Sequence, residues 1–230
     1  MAAGPAAAVD FQEGDLQVAG ESHRPSWLKS FLSEEDLIKI KSSVADAEKR
    51  TQAEIVPMIV RSSVTKGFLP FHIFLILNLF ILIFFRDGSD VLFYSLIVAS
   101  FPISIFLAGW PFLQRALIPK SDQESDVFHR AHFEFHQKKV GETFGSTGVL
   151  IFVSLNEHRA VILSDKGVAA EIDNERWAEA VQLLIAGIKN KKTGEGFCNA
   201  ITHCANLLEK LSPAEKSNPN EISNRLLIEE

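Results

Sequence analysis

Between Ser33 and Thr51 apolar residues return every three or four positions, at Leu37, Ile40, Val44 and Ala47, which is the period of an amphipathic helix. Ser33 stands in the N-cap position. Asp36 follows three residues on, and acids fill the first turn, where they complement the helix dipole. The stretch EIVPMIV, Glu54 to Val60, is too short and too β-branched for a second helix and predicts a strand. Pro57 has no N–H for a ladder, so that strand is expected at a sheet edge or at a bulge. The pattern then changes kind. FLPFHIFLILNLFILIFF (68–85) and VLFYSLIVASFPISIFLAGW (91–110) carry no charged residue, and each is about the length of a membrane span. The turn residues Asp87-Gly88-Ser89 lie between them, so the two runs predict a helical hairpin.

Periodicity resumes after the second run. Asp122 to about Lys139 reads as a helix with Phe128, Ala131 and Phe135 on its apolar stripe. GVLIFVSL (148–155) is almost wholly apolar, as expected of a central strand covered on both faces. The short Asn156-Glu157-His158 link leads to RAVILS (159–164), expected as its antiparallel partner. Trp177, Val181, Leu184 and Ile188 mark one further helix, with Asp173 as its cap. Phe197, Ile201, Cys204, Leu208 and Leu211 mark another.

These elements give a domain plan. Residues 1–32 lack periodicity at their start, are rich in Ala, Gly, Pro and acids, and read as a disordered tail without the features of a signal peptide. Residues 33–67 and 120–212 are expected to form one split α/β domain, a small mixed sheet flanked by helices. A transmembrane hairpin at 68–110 interrupts it after the first strand, and 213–230 form a C-terminal tail. A hairpin returns the chain to the side it left, so strand 54–60 is free to pair with the strands at 148–164. Separated from them, the N-terminal helix would have no core on which to bury its apolar face.

Charge adds an orientation. Lys49, Arg50, Arg61 and Lys66 precede the first run, and Arg115, Lys120 and Arg130 follow the second. Arg86 alone lies in the connecting loop. The positive-inside rule then places both termini in the cytoplasm, and the absent signal peptide agrees. Cys198 and Cys204, six positions apart on a helix, point to different faces and read as free thiols of a reducing compartment, with Cys204 in the core. His72 and Asn78, inside the first run, are expected to form hydrogen bonds between the helices. Composition removes one class of function. The chain of 230 residues is 47% hydrophobic with a net charge of −6 and no Lys/Arg block, so nucleic acid is excluded as a partner.

The segments AEKRTQAEIVPMIV (47–60) and STGVLIFVSLNEHRAVILSDKGV (146–168), separated by two apolar runs and followed by Trp177, resemble bacterial membrane members of the TPM domain family. The most specific pieces are EIVPM at 54–58 and TGVLIFVSL at 147–155. The resemblance covers about residues 33–212 and implies a small sheet flanked by helices. Other branches of that family include thylakoid-lumen proteins linked to photosystem maintenance and an animal receptor-associated protein. Some members are acid phosphatases and others are binding or assembly factors. For this chain it implies a membrane-tethered binding or assembly module at the cytoplasmic face of a bacterial inner membrane, with the lipid bilayer and an unidentified protein as partners. The alternative is a metal-assisted phosphatase.

Two groups of residues are candidates for chemistry. HRAHFEFH holds His129, His132 and His136, but His129 and His136 stand two turns apart, about 10.5 Å along a helix axis, too far to converge easily on one ion. His132 and His136 could share a metal only with a third ligand that no nearby motif supplies. Asp165, Glu171 and Asp173 are the stronger candidates, because they follow the strand 159–164 in the kind of loop where α/β folds place ligands. Asp165 and Asp173 could hold Ca²⁺ or Mg²⁺ and so polarise a phosphoryl oxygen, although a helix cap and a solvated turn are the simpler explanation, since an Asp at a helix start needs no other reason. No cofactor is otherwise evident. P-loop, GxSxG and Cys-x5-Arg patterns do not occur.

Overall fold

A computed structural model describes residues 25–64, 67–143, 145–214 and 221–229. The greater part of the expected N-terminal tail, together with Lys66, lies outside the described residues. The tail's last positions do not behave as a tail. Leu28–Ser30 form a 3-10 turn, and Leu28 and Leu32 are completely buried in the main core. Helix α1 (Glu34–Glu48) follows a capping box in which the Asp36 amide donates to Ser33 Oγ (3.1 Å) and the Ser33 amide donates to Asp36 Oδ2 (2.9 Å).

Four strands form a mixed sheet in the order β3-β2-β1-β4: β1 (Ile55–Val60), β2 (Val149–Ser154), β3 (Arg159–Ser164) and β4 (Leu227–Glu229). β1 runs parallel to β2 from Ile55↔Val149 to Val60↔Ser154, and β2 is antiparallel to β3. The two separated stretches of sequence therefore build one sheet. Strand alternation gives it two cores. Ile55, Ile59, Val149, Ile151 and Val153 face α1, α7 (Asn174–Lys189) and α8 (Thr193–Leu211). Val56, Met58, Val60, Leu150 and Phe152 face α5 (Lys120–Gln137) through its Val127, Ala131 and Phe135. Both β1 and β2 are buried along their whole length, as near-continuous apolar runs require.

β1 is an interior strand, contrary to the expectation from Pro57, and the geometry shows how it accommodates the proline. Glu54 and Val60 turn their carbonyls to Val149 and Leu155 on the β2 side, whereas the Arg61 amide donates to Glu229 on the β4 side. Backbone groups alternate between sides, so Pro57 turns toward β4. The β4 ladder begins only at Met58↔Leu227, one residue beyond it. β4 also lies in the stretch expected as a C-terminal tail. Three residues with one β-branched side chain carry too little pattern to be read as a strand.

The parallel β1–β2 connection contains the apolar helices α2 (Leu69–Phe85) and α3 (Asp90–Ala108), then the short α4 (Pro111–Leu117), then α5. α2 and α3 pack on each other. Asn78 Nδ2 donates to Ser100 Oγ (3.0 Å), as expected of a polar residue within the first run. On this pair Leu69, Ile73, Ile81 and Ala108 are buried together with two serines, while most of the large apolar side chains face outward, unlike the rest of the molecule. Ser100 and Ser104 are 2% and 1% exposed, whereas Leu79, Ile83, Val98 and Phe106 are all more than half exposed. Only α3, at 19 residues, is long and apolar enough by length and composition to cross a membrane among the described residues; α2 is a shorter apolar helix.

Candidate functional site

Among the acids singled out in the sequence, Asp165 is the N-cap of the four-residue helix α6 (Lys166–Ala169) and accepts the Lys166 amide at 2.6 Å. Its second carboxylate oxygen is enclosed without a hydrogen-bond partner. Asp173 occupies the N-cap position of α7 but makes no capping bond with its side chain, and it is exposed, as is Glu171. Among the described residues, no three His, Cys, Asp or Glu side chains are gathered closely enough to hold a metal ion. The histidines of α5 face outward. His129, His132 and His136 are exposed, with the His132 and His136 rings 6.4 Å apart. Phe128, expected in the apolar stripe, is 47% exposed and meets the His132 ring edge-on. Val127 takes the inward position instead. Partial burial, and then the neighbouring His136 and His129, hold His132 below the usual histidine range.

α5 also buries Glu134, which pairs with Arg130, and further buried or half-buried carboxylates lie elsewhere. Glu48, at the end of α1, and Glu54, just before β1, meet under the segment 221–224. The Glu221 amide donates to Glu54 Oε1 (3.2 Å), and Asn224 Nδ2 donates to Glu48. Burial, and then the Glu54 carboxylate, push Glu48 up to about 8, while burial also raises Glu54. At the other end of β1, Glu157 is buried and accepts bonds from Ser62 Oγ (2.7 Å), the Ser63 amide (3.1 Å) and Ser154 Oγ. Next to it Arg115 Nη1 donates to His158 Nε2 (2.7 Å), which ties α4 to the β2–β3 turn. Burial and the Arg115 charge both lower His158. Neither carboxylate group could be found by spacing, since each depends on contacts between distant segments.

A large cavity lies where the apolar hairpin joins the domain. It measures about 780 Å³ and opens between the first turns of α2 and the α4–α5 junction. Phe68, Leu69 and Ile76 line one wall, and Leu117, Ile118 and Pro119 form the floor. His72, Asp122, Ser125 and Asp126 supply its polar groups. Asp122, Ser125 and Asp126 share one face of α5 by their i, i+3, i+4 spacing. His72 makes no bond across the hairpin. Its Nδ1–H donates to the Phe68 carbonyl at 2.9 Å, which in the neutral ring leaves Nε2 as an acceptor. The volume falls in the range of small-molecule sites.

No protein-family model matches the chain, and no curated protein matches it. Among solved structures, it is similar to the NMR structure of BA42 protein from the psychrophilic bacterium Bizionia argentinensis. The TM-score is 0.56 at 20% identity, covering 87% of this chain and 97% of that one. At that identity the likeness is one of fold.

Proposed function

We propose that the chain is a membrane-tethered binding module of TPM type, with its α/β domain held at the cytoplasmic face of a bacterial membrane by the α2–α3 hairpin. The observation that carries this reading is the inverted burial of the hairpin. In water, an Asn–Ser contact inside and a surface of Phe, Leu and Ile outside would be the wrong way round. In hydrocarbon the polar groups must pair internally, and the apolar ones meet lipid at no cost. α3 supports it too: only 17% of its apolar window is buried in the molecule, which is unlike a core helix. Trp110 and Phe112 stand half or more exposed just past α3, where an interfacial belt would lie. α2 is short for a span, but the exposed Phe68 precedes its first residue and adds to the apolar length at that end. The cationic flanks on the domain side favour the cytoplasmic orientation.

One observation favours metal-assisted phosphate chemistry as a second reading: the enclosed, unpartnered oxygen of Asp165. A single experiment separates the two. Membranes are washed at alkaline pH, the protein is extracted in detergent, and phosphatase activity is measured with Mg²⁺ or Ca²⁺ on the wild type and on Asp165→Asn/Asp173→Asn. The binding-module reading expects retention in the washed membrane and no metal-dependent hydrolysis that the substitutions abolish. Loss of a metal ligand from a working phosphatase would cost about two or more orders of magnitude in rate. A drop of that size in a folded double variant would establish the second reading instead.

A further inference from the structure

We infer that the cavity between α2 and α5 binds the headgroup of a phospholipid bearing a primary ammonium, with its acyl chain laid along the outer face of α2. The inference rests on the proposal that the hairpin is embedded in a bilayer. Three features of the cavity converge on that ligand.

The first is place. The cavity sits at the base of the hairpin, at the level of Phe68 (79% exposed) and the exposed Trp110, so its mouth opens at the lipid–water boundary. The second is continuity. Its α2 wall, Phe68, His72 and Ile76, leads one turn at a time into the exposed Leu79, Phe80 and Ile83. That stripe is long enough to accompany a chain down from a headgroup seated in the cavity.

The third is charge. Asp122 and Asp126 are one turn apart on the same face of α5, and no Lys or Arg among the described residues forms an ion pair with either. Of the neighbouring ionic groups of α5, Arg130 is engaged with Glu134 (2.7 Å) and Glu124 with Arg159, while Lys120 stands two positions before Asp122 at the start of the helix. Asp122 accepts the neutral Ser121 hydroxyl (3.1 Å), and the carboxylate pair, without an ion-pair partner among the described residues, repels an anionic headgroup and attracts a cation. His72 refines the choice. Its Nδ1–H is committed to the Phe68 carbonyl, so in the neutral ring Nε2 is the acceptor. Two carboxylates and one imidazole nitrogen make three acceptor groups, enough to receive the three N–H donors of –NH₃⁺. The Ser125 hydroxyl remains to donate to a phosphate or ester oxygen. A quaternary ammonium has the charge without the donors, and a glycerol headgroup leaves the lipid anionic.

The test uses the full-length protein in detergent with equal amounts of phosphatidylethanolamine, phosphatidylcholine and phosphatidylglycerol, and counts retained lipid by native mass spectrometry. The wild type should hold phosphatidylethanolamine with a preference of about tenfold over either competitor, the scale of one charge-assisted hydrogen bond. Asp122→Asn/Asp126→Asn should lose that preference. Glu124→Gln, on the same helix but outside the cavity, should keep it. Equal retention of the three lipids by the wild type, or an unchanged preference in the double variant, would overturn the site. Release of the wild type from membranes by alkaline washing would defeat the membrane reading itself. Firm insertion without a phosphatidylethanolamine preference would defeat only the headgroup site.

Discussion

Glu48 and Glu54 are the residues whose environment departs furthest from what their sequence neighbours suggest. Each ends or begins an element, and in isolation each would be a solvated carboxylate. Enclosure under 221–224 disfavours their charged forms, so Glu48 titrates near 8 and Glu54 above its ordinary range. The folded protein thus holds protons that the unfolded chain releases near pH 4.5. Stability should fall as pH rises from about 4.5 to about 8 and then level off. Glu48→Gln removes the titrating group while keeping an acceptor for Asn224. It should flatten that slope and raise stability at pH 8 by about 1–2 kcal/mol, a figure reduced from the full displacement because Glu48 is only partly buried. Denaturant unfolding of both proteins across pH 5–9 measures it, and parallel pH profiles would show that the pair is ionised in the fold. Some single residues were legible in advance. The Ser33 cap, the buried Cys204, whose thiol burial pushes up to about 12, and the Asn78 contact all follow from local rules. The carboxylate pair was not, because burial by a segment 167 positions away leaves no local trace.

At the scale of elements, periodicity located the long helices and the three longer strands to within a few residues. It went wrong where tertiary contacts override the pattern. Phe128 looks like a core residue of α5 by type, yet with the buried face centred on Val127, Ala131 and Phe135 it stands at the border of that face and is 47% exposed. Pro57 argued for an edge strand, and a partner strand that starts one residue later removed the conflict. The packing of α7 on α8 rests on a feature that periodicity cannot see. A Cβ on Gly187 would lie 2.4 Å from the Gly196 Cα, so the two helices touch through bare backbone. Gly187→Ala gains helix propensity of about 1 kcal/mol at most. It forces the helices apart at a cost of about 1–3 kcal/mol or more, as overpacked cores do. The expected outcome is a net loss of stability by thermal unfolding. An unchanged or raised Tm would mean that the crossing is looser than described.

The whole molecule is a sheet assembled from both ends of the chain, with an apolar hairpin issuing from the β1–β2 crossover. That the segments before and after the apolar runs share a sheet was legible from a hairpin's return to its own side, and the parallel β1–β2 register bears the pairing out. What the hairpin is immersed in was legible only as length and composition. The inverted burial adds a directional claim: particular faces of α2 and α3 meet lipid, while Asn78, Ser100 and Ser104 do not. Spin labels placed singly at Leu79, Ile83, Val98 and Phe106 in proteoliposomes, on a Cys198→Ser background, test that claim most directly. If the hairpin is embedded, all four report high accessibility to oxygen and low accessibility to a water-soluble nickel complex, with a label at Glu35 showing the reverse. High nickel accessibility at Ile83 and Val98 would place the hairpin in water and contradict the account.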